Sequence, residues 1–224
     1  MAAWQGSGYH RHMIRRTSAF ALLIATAPLA TWADGERAGD FDYYVLSLSW
    51  SPNWCKLEGD ARNAEQCDKD FGWVVHGFWP QYEDGWPAYC PTVTNPPSRQ
   101  MTAAQADIFG AGGAAWYQWK KHGTCSGLDA ATYYDTVREA FGQVNRPEVL
   151  RKIDRTFKIP AKVIEDAFLQ ANPDWEPDTV TITCTGGHIQ EARVCLTKDL
   201  SPRACAPDTR RDCTLGDALL EPLR

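Results

Sequence analysis

The eight cysteines of this 224-residue chain include no C-x-x-C pair, so a zinc site built from paired thiolates has no sequence support. H-E-x-x-H, G-x-S-x-G and a phosphate-cradling glycine loop are all missing, which removes the hydrolases and nucleotide enzymes that depend on them. The acid-rich stretches "EDGW" and "DWEPD" lack calcium-loop spacing and read as solvated loops. No segment repeats at a fixed period and none is low in complexity. The longest apolar run, Ala19 to Ala30, has twelve residues, against the roughly 20 needed to cross a bilayer. Histidine is scarce, with His10, His12, His76, His122 and His188 the full set.

What remains describes one globular unit, since 44% hydrophobic residues over this length suit a single domain with a sizeable core. "RHMIRRTSAFALLIATAPLATWADG" sets arginines ahead of an apolar stretch and small residues, the pattern of a secretory leader with cleavage expected after Ala33. Met13 is a candidate start, and Arg15 with Arg16 leaves a twin-arginine route open. Removing residues 1–33 takes away three arginines and no acid, carrying the formal charge from −5 to −8. An acidic surface speaks against broad adhesion to nucleic acid through clustered cations, but does not exclude a compact phosphate pocket. Export to the periplasm or beyond, with an even number of cysteines, implies disulfides, and eight cysteines allow 105 connectivities.

"FDYYVLSLSWSPNWC" from Phe41 and "FGWVVHGFWP" from Phe71 read as strands, the first ending at Pro52. Residues 81–98 form a long proline-rich loop. Thr102 with Gln105 predicts a capping-box helix start, "GAGG" interrupts it, and "AAWYQWKKHG" resumes as a helix stopped by Gly123. Tyr133, Tyr134, Val137, Phe141 and Val144 recur at helical spacing, and "PEVLRKIDRTF" and "AKVIEDAFLQA" predict two further helices. Strands return in "TVTITC" and "HIQEARVCL". This order predicts an α+β fold with a central antiparallel β-sheet flanked by helices.

Two of the histidines sit in dense aromatic settings, His76 in "VVHGFWPQY" and His122 in "WKKHGTCSG", each followed by a glycine that permits close approach. Singly, each reads more readily as a structural histidine than as a catalyst. Together they permit metal-free proton transfer in both directions near neutrality. RNA carries its own nucleophile, the 2′-hydroxyl. One imidazole can deprotonate it while the other protonates the departing 5′-oxygen, leaving a 2′,3′-cyclic phosphate; a lysine would stabilise the phosphorane, and aromatics would stack the bases. Lys121 and Trp79 suit those tasks if the two segments meet. Trp79 stands three positions after His76, which in a regular strand puts the two on opposite faces, so a turn at Pro80 is expected to bring it round. His188 reads as structural, and most other tryptophans as core.

"HGFWPQY" and "WKKHGTC", with "LSLSWSPNWC" and "GHIQEARVCL" in order around them, resemble the ribonuclease T2 family, the secreted acid ribonucleases of fungi, plants and bacteria. The resemblance implies an α+β fold, RNA as substrate, no cofactor and no metal. It further implies His122 as general base, His76 as general acid, Lys121 and Gln118 beside the phosphate, and Trp79 and Tyr117 in substrate binding. The implied disulfides are Cys55 with Cys67, Cys90 with Cys125, Cys184 with Cys213, and Cys195 with Cys205. A monomer with no obligate protein partner, and no membrane contact after leader removal, completes the expectation for residues 34–224 as one catalytic domain. The chain departs from the family pattern where His-Glu-Trp becomes Tyr117, Gln118 and Trp119. Gln118 cannot carry the charge that would favour protonation of His122, so a lower pKa is expected for that base. The same departure keeps open an impaired relative that binds RNA or a protein partner; a separate rival is a disulfide-stapled structural or inhibitory domain with no RNA affinity.

Overall fold

The computed structural model describes residues 36–224. The leader, its cleavage after Ala33, His10 and His12 therefore lie outside the described residues.

The first strand, β1 (Tyr43–Trp50), has every second side chain on each face. Tyr44, Leu46, Leu48 and Trp50 enter the main core, while Tyr43 and Val45 join a smaller cluster with Cys195, Cys205 and Ala206, against which Trp79 packs. Pro52 does not end a strand but sits in the first turn of a short helix, α1 (Ser51–Trp54), where its missing N–H costs nothing. The helix runs on into a π-type turn over Cys55–Gly59. The second strand, β2 (Trp73–Gln81), pairs antiparallel with β1.

Three helices follow the long loop: α2 (Arg99–Ala103), α3 (Ala106–Phe109) and α4 (Gly112–Lys121). The cap of α2 is Ser98, whose hydroxyl accepts from the Met101 amide at 3.1 Å. Thr102, expected to cap, lies inside that helix and donates its hydroxyl to the Arg99 carbonyl. Next come α5 (Ala130–Gln143), capped by Asp129, then β3 (Phe157–Ile159), α6 (Ala161–Ala171), β4 (Val180–Thr185), β5 (His188–Leu196) and β6 (Ala218–Leu220). The helix expected over residues 147–157 is reduced to one turn at Glu148–Lys152. Its end, Phe157, instead pairs with Leu220 of β6, a strand not expected in the tail, so a tertiary ladder overrides local spacing.

The six strands of the described residues form one sheet, ordered β2-β1-β5-β6-β3, with β4 pairing β5 as well. All pairings are antiparallel except the single parallel contact of His188 in β5 with Leu219 in β6. Tyr133 and Val137 of α5, with Ile164 and Phe168 of α6, share the main core with the inward side chains of β1. Each such fully buried large side chain contributes about 1.5–3 kcal/mol. The fold is α+β.

Four disulfides join Cys55–Cys67, Cys90–Cys125, Cys184–Cys213 and Cys195–Cys205. Cys90–Cys125 ties residues 82–98, which carry no helix or strand, to the turn behind α4. No helix among the described residues is long and apolar enough to cross a membrane.

Closing a loop of 35 residues restricts the unfolded chain, so replacing Cys90 and Cys125 together by serine should cost roughly 3–4 kcal/mol of unfolding free energy. Urea denaturation of the double variant beside the parent checks this.

Candidate active site

His76 owes its position to a fault in the β1–β2 ladder. Ser47 pairs with Gly77 and Leu48 with Val75, so His76 has no partner across the strands. It is the extra residue of a β-bulge, a device that re-aims a side chain at the expense of local pairing. The bulge also reverses the alternation: Trp73 and Val75 enter the core before it, and Phe78 after it. His76 and Trp79 thereby come to the same face, with ring centroids 5.4 Å apart. The turn expected at Pro80 is absent, because β2 runs through Pro80 to Gln81.

His122 is set by a different element. It follows the last residue of α4, and its amide donates to the Gln118 carbonyl at 2.9 Å. Ala115, Gln118 and Trp119 form the buried face of that helix, and His122 continues it at 5% exposure. The Gln118 side-chain oxygen accepts from the Trp79 indole N–H at 2.9 Å. The indole in turn lies beside the His122 ring, with centroids 5.4 Å apart and planes inclined at 37°. Glycine at position 77 is required by this packing, since a Cβ there would stand 1.9 Å from the Trp79 indole nitrogen. The close approach that the glycine permits is thus made by Trp79.

One cavity of about 440 Å³ is lined by His76, Trp79, Tyr117, Gln118, Lys121 and His122, the six non-cysteine residues singled out in the sequence. A second, of about 530 Å³, shares His76, Tyr117, Gln118, Gln190 and Glu191 with it as walls. Tyr117 is 47% exposed, and its neighbouring hydroxyl pushes the Tyr89 pKa up. Tyr89 has a left-handed backbone, φ +55°, and its amide donates to the Lys121 carbonyl at 2.7 Å. Trp86, from the same loop, lines the first cavity.

The two imidazoles are in unlike surroundings. His122 has its pKa lowered to about 3, by burial first, then by the charges of Lys121 and His76. The direction is the one expected from Gln118, but burial rather than the missing carboxylate is the largest cause. Its Nδ1 is buried without a hydrogen-bond partner. The His76 side chain is 45% exposed and its Nδ1 is hydrogen-bonded to Glu191 Oε1. Glu191, on β5, was not singled out in the sequence. Its only signal there was the one carboxylate in the strand "HIQEARVCL".

His188 stays apart from both cavities, its Nδ1 bonded to the Gly186 carbonyl at 2.9 Å. Cys90 and Cys125 lie near Glu36 in a grouping with metal-ligand proximity, but both sulfurs are in a disulfide and neither is a thiolate.

The sequence signature described as "Ribonuclease T2 family" matches residues 41–205. A protein of Aeromonas hydrophila named "Ribonuclease" is 40% identical over 105 residues, covering 47% of this chain and 46% of that protein. The chain spans about half the length of the first curated relatives it matches. Among solved structures, an RNase-related protein from Calystegia sepium superposes with a TM-score of 0.61 at 20% identity, over 82% of this chain and 97% of that one. Ribonuclease NT in complex with 5′-AMP gives 0.59 at 18% identity, over 83% and 100%. These structural likenesses are likenesses of fold.

Gly77→Ala should displace the Trp79 indole and break its bond to Gln118, at a cost of about 1–3 kcal/mol for overpacking. A changed Trp79 indole N–H resonance in the proton spectrum, with a lowered unfolding free energy, is the expected outcome.

Proposed function

Because the chain belongs to the ribonuclease T2 family, we propose that it is a metal-independent endoribonuclease that cleaves single-stranded RNA by transphosphorylation. The observation that carries the reading is the meeting of His76, Lys121 and His122 on one cavity beside the indole of Trp79. His122, neutral above its depressed pKa, accepts the 2′-hydroxyl proton. The 2′-oxygen then attacks the adjacent phosphorus in line, and His76 donates a proton to the 5′-oxygen as the P–O bond breaks. The products are a 2′,3′-cyclic phosphate and a free 5′-hydroxyl. Lys121 supplies positive charge where the phosphorane oxygens gain negative charge. Trp79 and Tyr117 offer faces on which bases stack, and Gln118 holds Trp79 in place.

Residues 34–224 are proposed as the catalytic domain, freed of its leader and exported to the periplasm or beyond, acting as a monomer without cofactor. The departure at Gln118 supports a second reading, a relative that binds RNA without cutting it.

Replacement of His76 or His122 by alanine should each lower kcat by about 10²–10⁴-fold. Cleavage should resist chelator and vanish on 2′-deoxy substrate; intact RNA after incubation with the parent protein, while binding persists, would favour the second reading. The sign of the acid limb follows from the base: kcat/KM rises as pH climbs through the His122 pKa of about 3. Gln118→Glu places a carboxylate near that ring and should move the acid limb to higher pH. Initial rates on a dinucleoside monophosphate from acid to neutral pH measure both.

A further inference from the structure

Glu191 is a carboxylate almost wholly out of water, at 1% exposure. Burying such a charge is costly unless it is paired and hydrogen-bonded. Its Oε2 accepts from Arg193, with Nε and Nη2 both at 2.8 Å, and its Oε1 is bonded to His76 Nδ1. Burial pushes the Glu191 carboxyl up, but the hydrogen bond and charge of His76, then Arg193, outweigh it and hold the carboxyl below its ordinary range. An ionised carboxylate only accepts hydrogen bonds. Nδ1 of His76 must therefore be the donor, which leaves Nε2 as the nitrogen available to a substrate.

The contact crosses a strand. β2 and β5 lie on either side of β1, a separation of about 10 Å at ordinary strand spacing. On the cavity face of β1 the intervening residues are Ser47, between Gly77 and Arg193, and Ser49, between Val74 and Glu191. Serines there leave room for an imidazole and a carboxylate to meet above the strand. Glu191 also lies next to an irregularity of its own: Thr183 pairs with Glu191 and Cys184 with Ile189, which leaves Gln190 as the extra residue of a second bulge. Two bulges on separate strands thus flank one hydrogen bond.

We infer that Glu191, braced by Arg193, is a positioning residue for His76: it fixes the imidazole with Nδ1–H toward β5 and Nε2 toward the scissile phosphodiester, so that His76 serves as the acid and His122 as the base. The inference rests on the endoribonuclease reading for its consequence in catalysis, but its geometric content stands apart from it. The negative charge that the family pattern carries beside the base, and that Gln118 lacks, is placed here on the side of the acid.

The direct test is nitrogen NMR of the protein with labelled histidine rings. In the parent, neutral His76 should carry its proton on Nδ1, and Glu191→Gln should abolish that tautomer preference. On RNA, Glu191→Gln should lower kcat by about 10²-fold or more with KM changed less than about threefold, the loss expected of a mis-set tautomer. Glu191→Asp, which keeps the charge, should recover part of the rate. A folded Glu191→Gln variant with kcat within twofold of the parent overturns the inference, as does a parent spectrum with the His76 proton on Nε2. Should Glu191→Gln fail to fold, the parent spectrum still decides. A parent protein that cuts no RNA yet shows the Nδ1–H tautomer refutes the endoribonuclease reading and leaves the positioning geometry standing.

Discussion

Strand alternation on β1, broken by one inserted residue on its neighbour, is the constraint from which the candidate site follows. Period two sends Tyr44, Leu46, Leu48 and Trp50 to the helices and Tyr43, Val45, Ser47 and Ser49 to the other face. A regular β2 would place His76 and Trp79 on opposite sides of the sheet. The bulge at His76 cancels that parity, and the hydrophobic rows before and after it, Trp73 and Val75 then Phe78, hold both halves of the strand in place. Local loss of pairing at one residue is thus supported by burial on either side of it.

That geometry places two chemically identical rings in opposed environments. His122 ends a helix whose buried face it continues, against an indole and next to a lysine, and its unpartnered Nδ1 carries the cost of a missing hydrogen bond. His76 projects half-exposed toward a carboxylate held in place by an arginine. Divergent surroundings for two titratable groups are how a single fold assigns an acid and a base. The indole of Trp79 is the element common to both, touching each imidazole and fixed by Gln118.

The loop over residues 82–98 belongs to the site without any regular structure of its own. Cys90–Cys125, the Tyr89 amide on the Lys121 carbonyl, and the Gly85 amide on the Asp208 carboxylate at 2.7 Å are among the ties that hold it. The left-handed backbone of Tyr89 is a strained conformation for a bulky residue, and it sits where the loop is clamped most closely. Trp86 therefore lines the cavity from an anchored segment.

By itself the sequence determined the α+β class, the central strands, helix α6 and four of the residues that line one cavity, His76, Trp79, Lys121 and His122, because these depend on local periodicity and short motifs; Tyr117 and Gln118 came with the family resemblance. The disulfide pairing and the roles of the two histidines came only with the family resemblance, since eight cysteines leave their connectivity open. The tertiary structure alone decided the rest. A bulge is a property of two strands in register, so neither the one at His76 nor the one at Gln190 is written in either strand, and Phe157 takes a strand rather than a helix because β6 lies beside it. Glu191 meets His76 across 115 positions of chain, a distance over which no local pattern carries information.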